Sequence, residues 1–126
     1  MLVLYGAILT DFLGHELERR ADAGGGYLIK VMSHPGQGTM HPGNVNPSSL
    51  QGDYPAIQTA ALIESIDVRK AGPLAFAIGS FEDRNAVGFE HAVELESRPP
   101  SQGGRAFLEK ALHDPGMHAA ILKGMP

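Results

Sequence analysis

Six histidines, at positions 15, 34, 41, 91, 113 and 118, are the residues with the widest chemical range in this chain. His34 and His41 flank a glycine-rich stretch and form the one pair from which a metal site could be built. Zinc centres take tetrahedral ligand sets at tight local spacing, often with thiolates among them. The chain has no cysteine, so two loop histidines in solvent are the plainer reading. Glu90, Glu94 and Glu96 could supply paired carboxylates for acid–base work, with His91 beside them. The same pattern describes a solvated acidic face, and catalytic carboxylates also need a pocket. The segment 36–39, Gly-Gln-Gly-Thr, lacks the third glycine of a dinucleotide fingerprint and sits among prolines. Neither a phosphate-loop lysine motif nor a Gly-x-Ser-x-Gly elbow occurs. The chain is therefore read as a non-enzyme with no cofactor and no metal.

The elements that would position such groups belong to one domain, residues 1–126, since a 13.4 kDa chain has no room for two full cores. Hydrophobic residues at 43% and charged residues at 19% exclude a disordered tail. A net charge of −4 and no basic tail argue against tight nucleic-acid binding, which depends on basic side chains neutralising phosphates. The opening apolar run, MLVLYGAIL, is too short to span a bilayer and lacks the flanks of a secretory signal, so no membrane association or export is expected.

Residues 5–32 are predicted to be mainly helical, with Leu4, Ile8, Phe12 and Leu13 on one amphipathic face and Tyr27, Leu28, Val31 and Met32 on another. Glycines 24–26 cost roughly 2–3 kcal/mol of helix propensity relative to alanine. One long helix with a weak middle is the first choice, and two shorter helices the second. Four prolines and four glycines make 33–55 a long loop. A loop of that length commonly serves an interface. A short helical turn is expected over 58–63. Alternation then predicts strands around 65–69 and 74–78, joined by a turn at Gly72–Pro73 into an antiparallel hairpin. Val87, Phe89, Val93 and Leu95 read as a helical turn followed by a strand, or as a third, bulged strand. Residues 105–113 return to helix, with Phe107, Leu108, Ala111 and Leu112 on one face. A last helix starts with Asp114 as N-cap and Pro115 at its first position. The fold class is thus α+β: a long N-terminal helix, an antiparallel sheet of about three to four strands, and short C-terminal helices.

Four blocks in fixed order carry a family resemblance. They are Tyr54 to Ile66; Ile78, Gly79 and Ser80; Phe89 to Glu96; and Arg105, Phe107, Leu108, Ala111 and Leu112. In this order the chain resembles the neck or tail-completion protein family of siphophages, the long-tailed double-stranded-DNA bacteriophages with non-contractile tails. Ala60 stands where that family usually has glycine, Ala106 where it has proline, and the usual Gly-Thr after the acid at Glu94 is missing. The resemblance covers most of the chain from about residue 52 onward. It implies an α+β structural protein of the virion, made in the host cytoplasm and placed at the head–tail junction. There it would form a ring of about six or twelve copies, between portal, adaptor or stopper proteins and the tail terminator or tail tube. DNA would pass through transiently and without sequence specificity.

Under that resemblance Phe107, Leu108, Leu112 and Phe76 are expected core or interface anchors. Glu82, Asp83, Glu90, Glu94 and Glu96 are expected channel-lining acids, a negative wall that repels phosphates. His34, Pro35, Met40, His41 and Tyr54 are the expected inter-subunit loop residues. Two other readings stay open: a tail terminator ring that caps the tail tube, and a small metal-dependent enzyme using His34, His41 and an acid.

Overall fold

A computed structural model describes residues 2–38, 40–42, 46–56 and 60–125, with side chains from residue 8 onward. The elements are α1 (Leu2–Met32), α2 (Ala61–Glu64), β1 (Ile66–Gly72), β2 (Ala75–Ser80), α3 (Ala86–Ser97), a 3-10 turn (Pro100–Gln102), α4 (Phe107–Leu112) and α5 (Pro115–Lys123). The architecture is α+β, with the long N-terminal helix, an antiparallel hairpin and short C-terminal helices. The Leu4 side chain, Thr39 of the 36–39 segment, and residues 57–59, which include the start of the turn expected over 58–63, lie outside the described residues.

Helix α1 is continuous over 31 residues, about 46 Å at 1.5 Å per residue. No proline interrupts it. Its glycines do not break it because they form the seam against which other elements pack. A Cβ at Gly24 would come within 2.8 Å of Ile78 Cδ1, and one at Gly25 within 2.8 Å of Val68 Cγ2. The missing side chains let the hairpin and α5 approach the helix backbone closely, and that burial offsets the propensity cost.

The hairpin pairs Ile66 with Ser80 through Lys70 with Phe76, with a bulge between Lys70 and Gly72. Its turn falls at Pro73 and Leu74. Among the described residues the sheet has these two strands rather than three to four. The segment expected to supply a further strand, 86–96, is instead helix α3. Asn85 caps it, its side chain accepting a hydrogen bond from the Gly88 N–H at 3.0 Å. The buried stripe of α3 is Gly88, Ala92 and Leu95, at helical spacing, whereas Val87 and Val93 face outward. Two of the three inward residues are small, so the bulky residues alone suggested strand-like alternation. The helix stops before Pro99 and Pro100, where Arg98 takes an extended conformation.

Asp114 caps α5 as expected, its Oδ1 accepting from the Gly116 N–H at 2.8 Å with Pro115 at the first position. The core gathers Leu28 and Met32 of α1, Leu62, Ile66, Ala92, Leu95, Phe107, Ala111 and Met117. It therefore sits around the C-terminal half of α1.

Candidate functional site

The N-terminal half of α1 has a different environment. The hairpin tip reaches the helix at Gly14, where a Cβ would lie 3.2 Å from the Pro73 carbonyl oxygen. Further along, Glu16 accepts from Arg19 at 2.6 Å and from Arg20 at 2.9 Å. Those guanidinium groups in turn donate to the end of α5: Arg19 to the Gly124 carbonyl at 3.2 Å, Arg20 to those of Ile121 and Leu122. Between Ile8 and Leu13, ahead of the hairpin contact, every side chain except half-buried Thr10 is exposed.

Four of those exposed residues are large and apolar: Ile8 (58% exposed), Leu9 (55%), Phe12 (66%) and Leu13 (46%). At about 100° per residue they share a face about 140° wide. Gly14, which meets the hairpin, lies on the other side, as do Thr10 and Asp11. An amphipathic face of this kind normally packs on a core. Here no described element covers it. Large contiguous apolar patches on a protein surface mark contact sites for other molecules.

The expected anchors divide. Phe107 has no exposed surface. Leu108 is half-buried, packs against the core and donates its N–H to Glu96. Phe76 is half-buried on β2. Leu112 is 67% exposed, so it is no core anchor: α4 ends there, and its buried stripe is Phe107 and Ala111.

The acids also separate. Glu82, Glu90 and Glu94 are exposed, Glu94 3.5 Å from Arg98. Asp83 is held 2.6 Å from Arg69, which keeps its carboxyl below the usual range. Glu96 is half-buried and accepts the Leu108 N–H at 2.6 Å. It caps the first turn of α4, which is a structural duty and removes it from the free acids.

Within the loop, His34, Pro35, Met40 and His41 are exposed. Tyr54 is half-buried, and its hydroxyl is engaged within the chain. Its hydroxyl donates to Asp114 Oδ2 at 2.7 Å, and the Tyr27 hydroxyl donates to the same oxygen at 2.9 Å. Burial, then the hydrogen bonds to Asp114, push both phenols above their ordinary range. For Asp114, burial alone would raise the carboxyl. The Tyr54 hydroxyl, the Gly116 N–H, the Tyr27 hydroxyl and the Met117 N–H outweigh it and hold the carboxyl low.

The loop is also fastened to itself and to the body. Gly36 N–H donates to the Pro47 carbonyl at 3.1 Å and Gly38 N–H to that of Ser48 at 2.7 Å. Arg105 donates from Nε to Ser49 Oγ and from Nη2 to the Ser49 carbonyl, both at 2.8 Å. The sequence signals neither the tyrosine pair on Asp114 nor the Arg105 clamp, because the partners lie 56 to 87 residues apart.

His34 and His41 line different cavities, and among the described residues no three His, Cys, Asp or Glu side chains gather as a metal-binding group. No helix among the described residues is long and apolar enough to cross a membrane. No protein-family model, curated protein or solved structure matches this chain.

Proposed function

We propose that the chain is a structural subunit that acts by self-assembly, forming a ring at the head–tail junction of a long-tailed double-stranded-DNA bacteriophage. The observation that carries the assembly part of this reading is the uncovered apolar face of α1. The position in the virion is supported by the ordered blocks ending in Arg105, Phe107, Leu108, Ala111 and Leu112. In the ring, Ile8, Leu9, Phe12 and Leu13 of one copy seat against the next. Exposed Leu112 and Leu122 offer further apolar surface for contacts. Both strands of the hairpin have an open edge among the described residues. A sheet of three to four strands would then belong to the assembly, with a neighbour's strand added to one edge. Exposed Glu82, Glu90 and Glu94 are the acids available to face passing DNA, where a negative wall repels phosphates.

Electron microscopy of intact particles tests the reading. It should place this chain between portal and tail tube, in a closed ring. Absence from assembled virions, or a lone polypeptide with measurable turnover, would defeat it.

A further inference from the structure

Two adjoining cavities lie between the Pro/Gly loop and the segment that joins α3 to α4. The smaller, about 230 Å³, is lined by His41 of the loop, His91 of α3 and Arg105, with Ser48, Ser49 and Gly103, and has an apolar wall of Pro55, Ala56 and Leu95. The larger, about 520 Å³, shares His41, Arg105, both serines and Gly103, and adds Gln51 and Gln102. Neither has an aspartate or glutamate among the described residues that line it. The chain as a whole carries 14 acids against 10 basic residues. Two further cavities do carry acids, Asp53 in one and Asp53 with Glu109 in the other. The acid-free lining is therefore local to this groove.

Its donors are of the right kind for an anion. Arg105 is held in place by four hydrogen bonds, to Ser49 Oγ and the Ser49, Gly104 and Pro100 carbonyls. A guanidinium has five N–H donors, so one Nη2 hydrogen lies outside those bonds. All four partners are neutral and Arg105 holds no ion pair among the described residues, although it also borders the cavity that Asp53 and Glu109 line. His41 and His91 are exposed and hold no ion pair among the described residues. Each imidazole presents at least one N–H in either tautomer.

We propose that this groove binds a phosphate-type oxyanion. The phosphate lies in the smaller lobe among His41, His91 and Arg105, and its organic substituent lies in the larger lobe beside Gln51 and Gln102. A rigid guanidinium with flanking N–H donors suits a tetrahedral oxyanion, and charge-assisted bonds are stronger than neutral ones. The proposal makes no use of the α1 face and stands apart from the assembly reading. A free phosphorylated compound and a nucleic-acid phosphodiester share this chemistry.

The test uses the full chain and nuclear magnetic resonance of its imidazole and amide signals. Inorganic phosphate is titrated in at constant ionic strength, and in a parallel series a short single-stranded oligodeoxynucleotide. Saturable shifts are expected at His41, His91 and Gly103, with His15 of α1 unmoved. The double variant His41→Asn, His91→Asn replaces exposed side chains, and its thermal unfolding is checked beside the wild type. It should weaken binding by about tenfold or more, while His15→Asn leaves binding unchanged. Saturation by phosphate alone assigns a small phosphorylated ligand. Tighter binding of the oligonucleotide with steep salt dependence assigns a phosphodiester. No saturable shift with either probe, or binding that survives the double variant, overturns the proposal.

Discussion

Replacing Ile8 and Phe12 together by glutamine removes two of the four large side chains, one half of the uncovered face of α1, while keeping a good helix former at both sites. Complete burial of a large apolar side chain contributes about 1.5–3 kcal/mol. Phe12 is 66% open and Ile8 58% open in the single chain, so covering them against another copy contributes about 2–4 kcal/mol in total. At 1.4 kcal/mol per tenfold, the double variant should raise the dissociation constant between copies roughly thirtyfold to several hundredfold. The fold of the single chain should be unaffected, since neither side chain joins the core, and exposed substitutions usually fall within about 0.5 kcal/mol. Sedimentation velocity over a concentration series reads the first effect, and urea unfolding at high dilution reads the second. A dissociation constant within about threefold of wild type, or a wild-type chain that stays monomeric at every concentration, would refute the argument that copies cover this face.

Three further outcomes follow from the packing. Phe107→Ala empties a site with no exposed surface and should cost about 3–5 kcal/mol; a loss under about 1 kcal/mol in urea unfolding would mean the site collapses freely. Asp114→Asn weakens the junction of Tyr27, Tyr54 and the start of α5 and should cost about 1.5–3 kcal/mol at neutral pH, as for hydrogen bonds to a charged group. Because the folded carboxyl is held below its ordinary value, this contribution is fully present above the unfolded pKa of about 3.9 and fades as pH falls through the lower folded value; a stability difference from wild type that persists unchanged at more acid pH would contradict the assignment. Gly24→Ala gains about 1 kcal/mol of helix propensity but drives a Cβ to within 2.8 Å of Ile78, 3.0 Å of Ile121 and 3.2 Å of Met117. It should lower the midpoint of thermal unfolding, and a rise would show that the seam yields without cost.

The hairpin and the Asp114–Pro115 start of α5 were legible in the sequence because local alternation, turn residues and cap chemistry fix both within a few residues. Helix α1 was legible in extent but not in use. The periodicity of Ile8, Phe12 and Leu13 marks an apolar face, and periodicity cannot say whether a chain covers that face itself. Helix α3 escaped because its inward stripe uses Gly88 and Ala92, which carry little hydrophobic signal. The roles of Glu96 and Tyr54 depend on Leu108 and Asp114, brought near only by the tertiary fold. Each is an ordinary charged or aromatic residue in its own neighbourhood.

The bonds from Arg20 to the end of α5 join residues 101 and 102 positions apart. During synthesis, at roughly 5–20 residues per second, the start of α1 would wait on the order of 5–20 s before those carbonyls left the ribosome. For much of that interval the first helix would lack its hairpin, for all of it the helix would lack its C-terminal companion, and its oily end would stay bare even afterwards. Yield on overproduction should therefore rise when holding chaperones are supplied in excess.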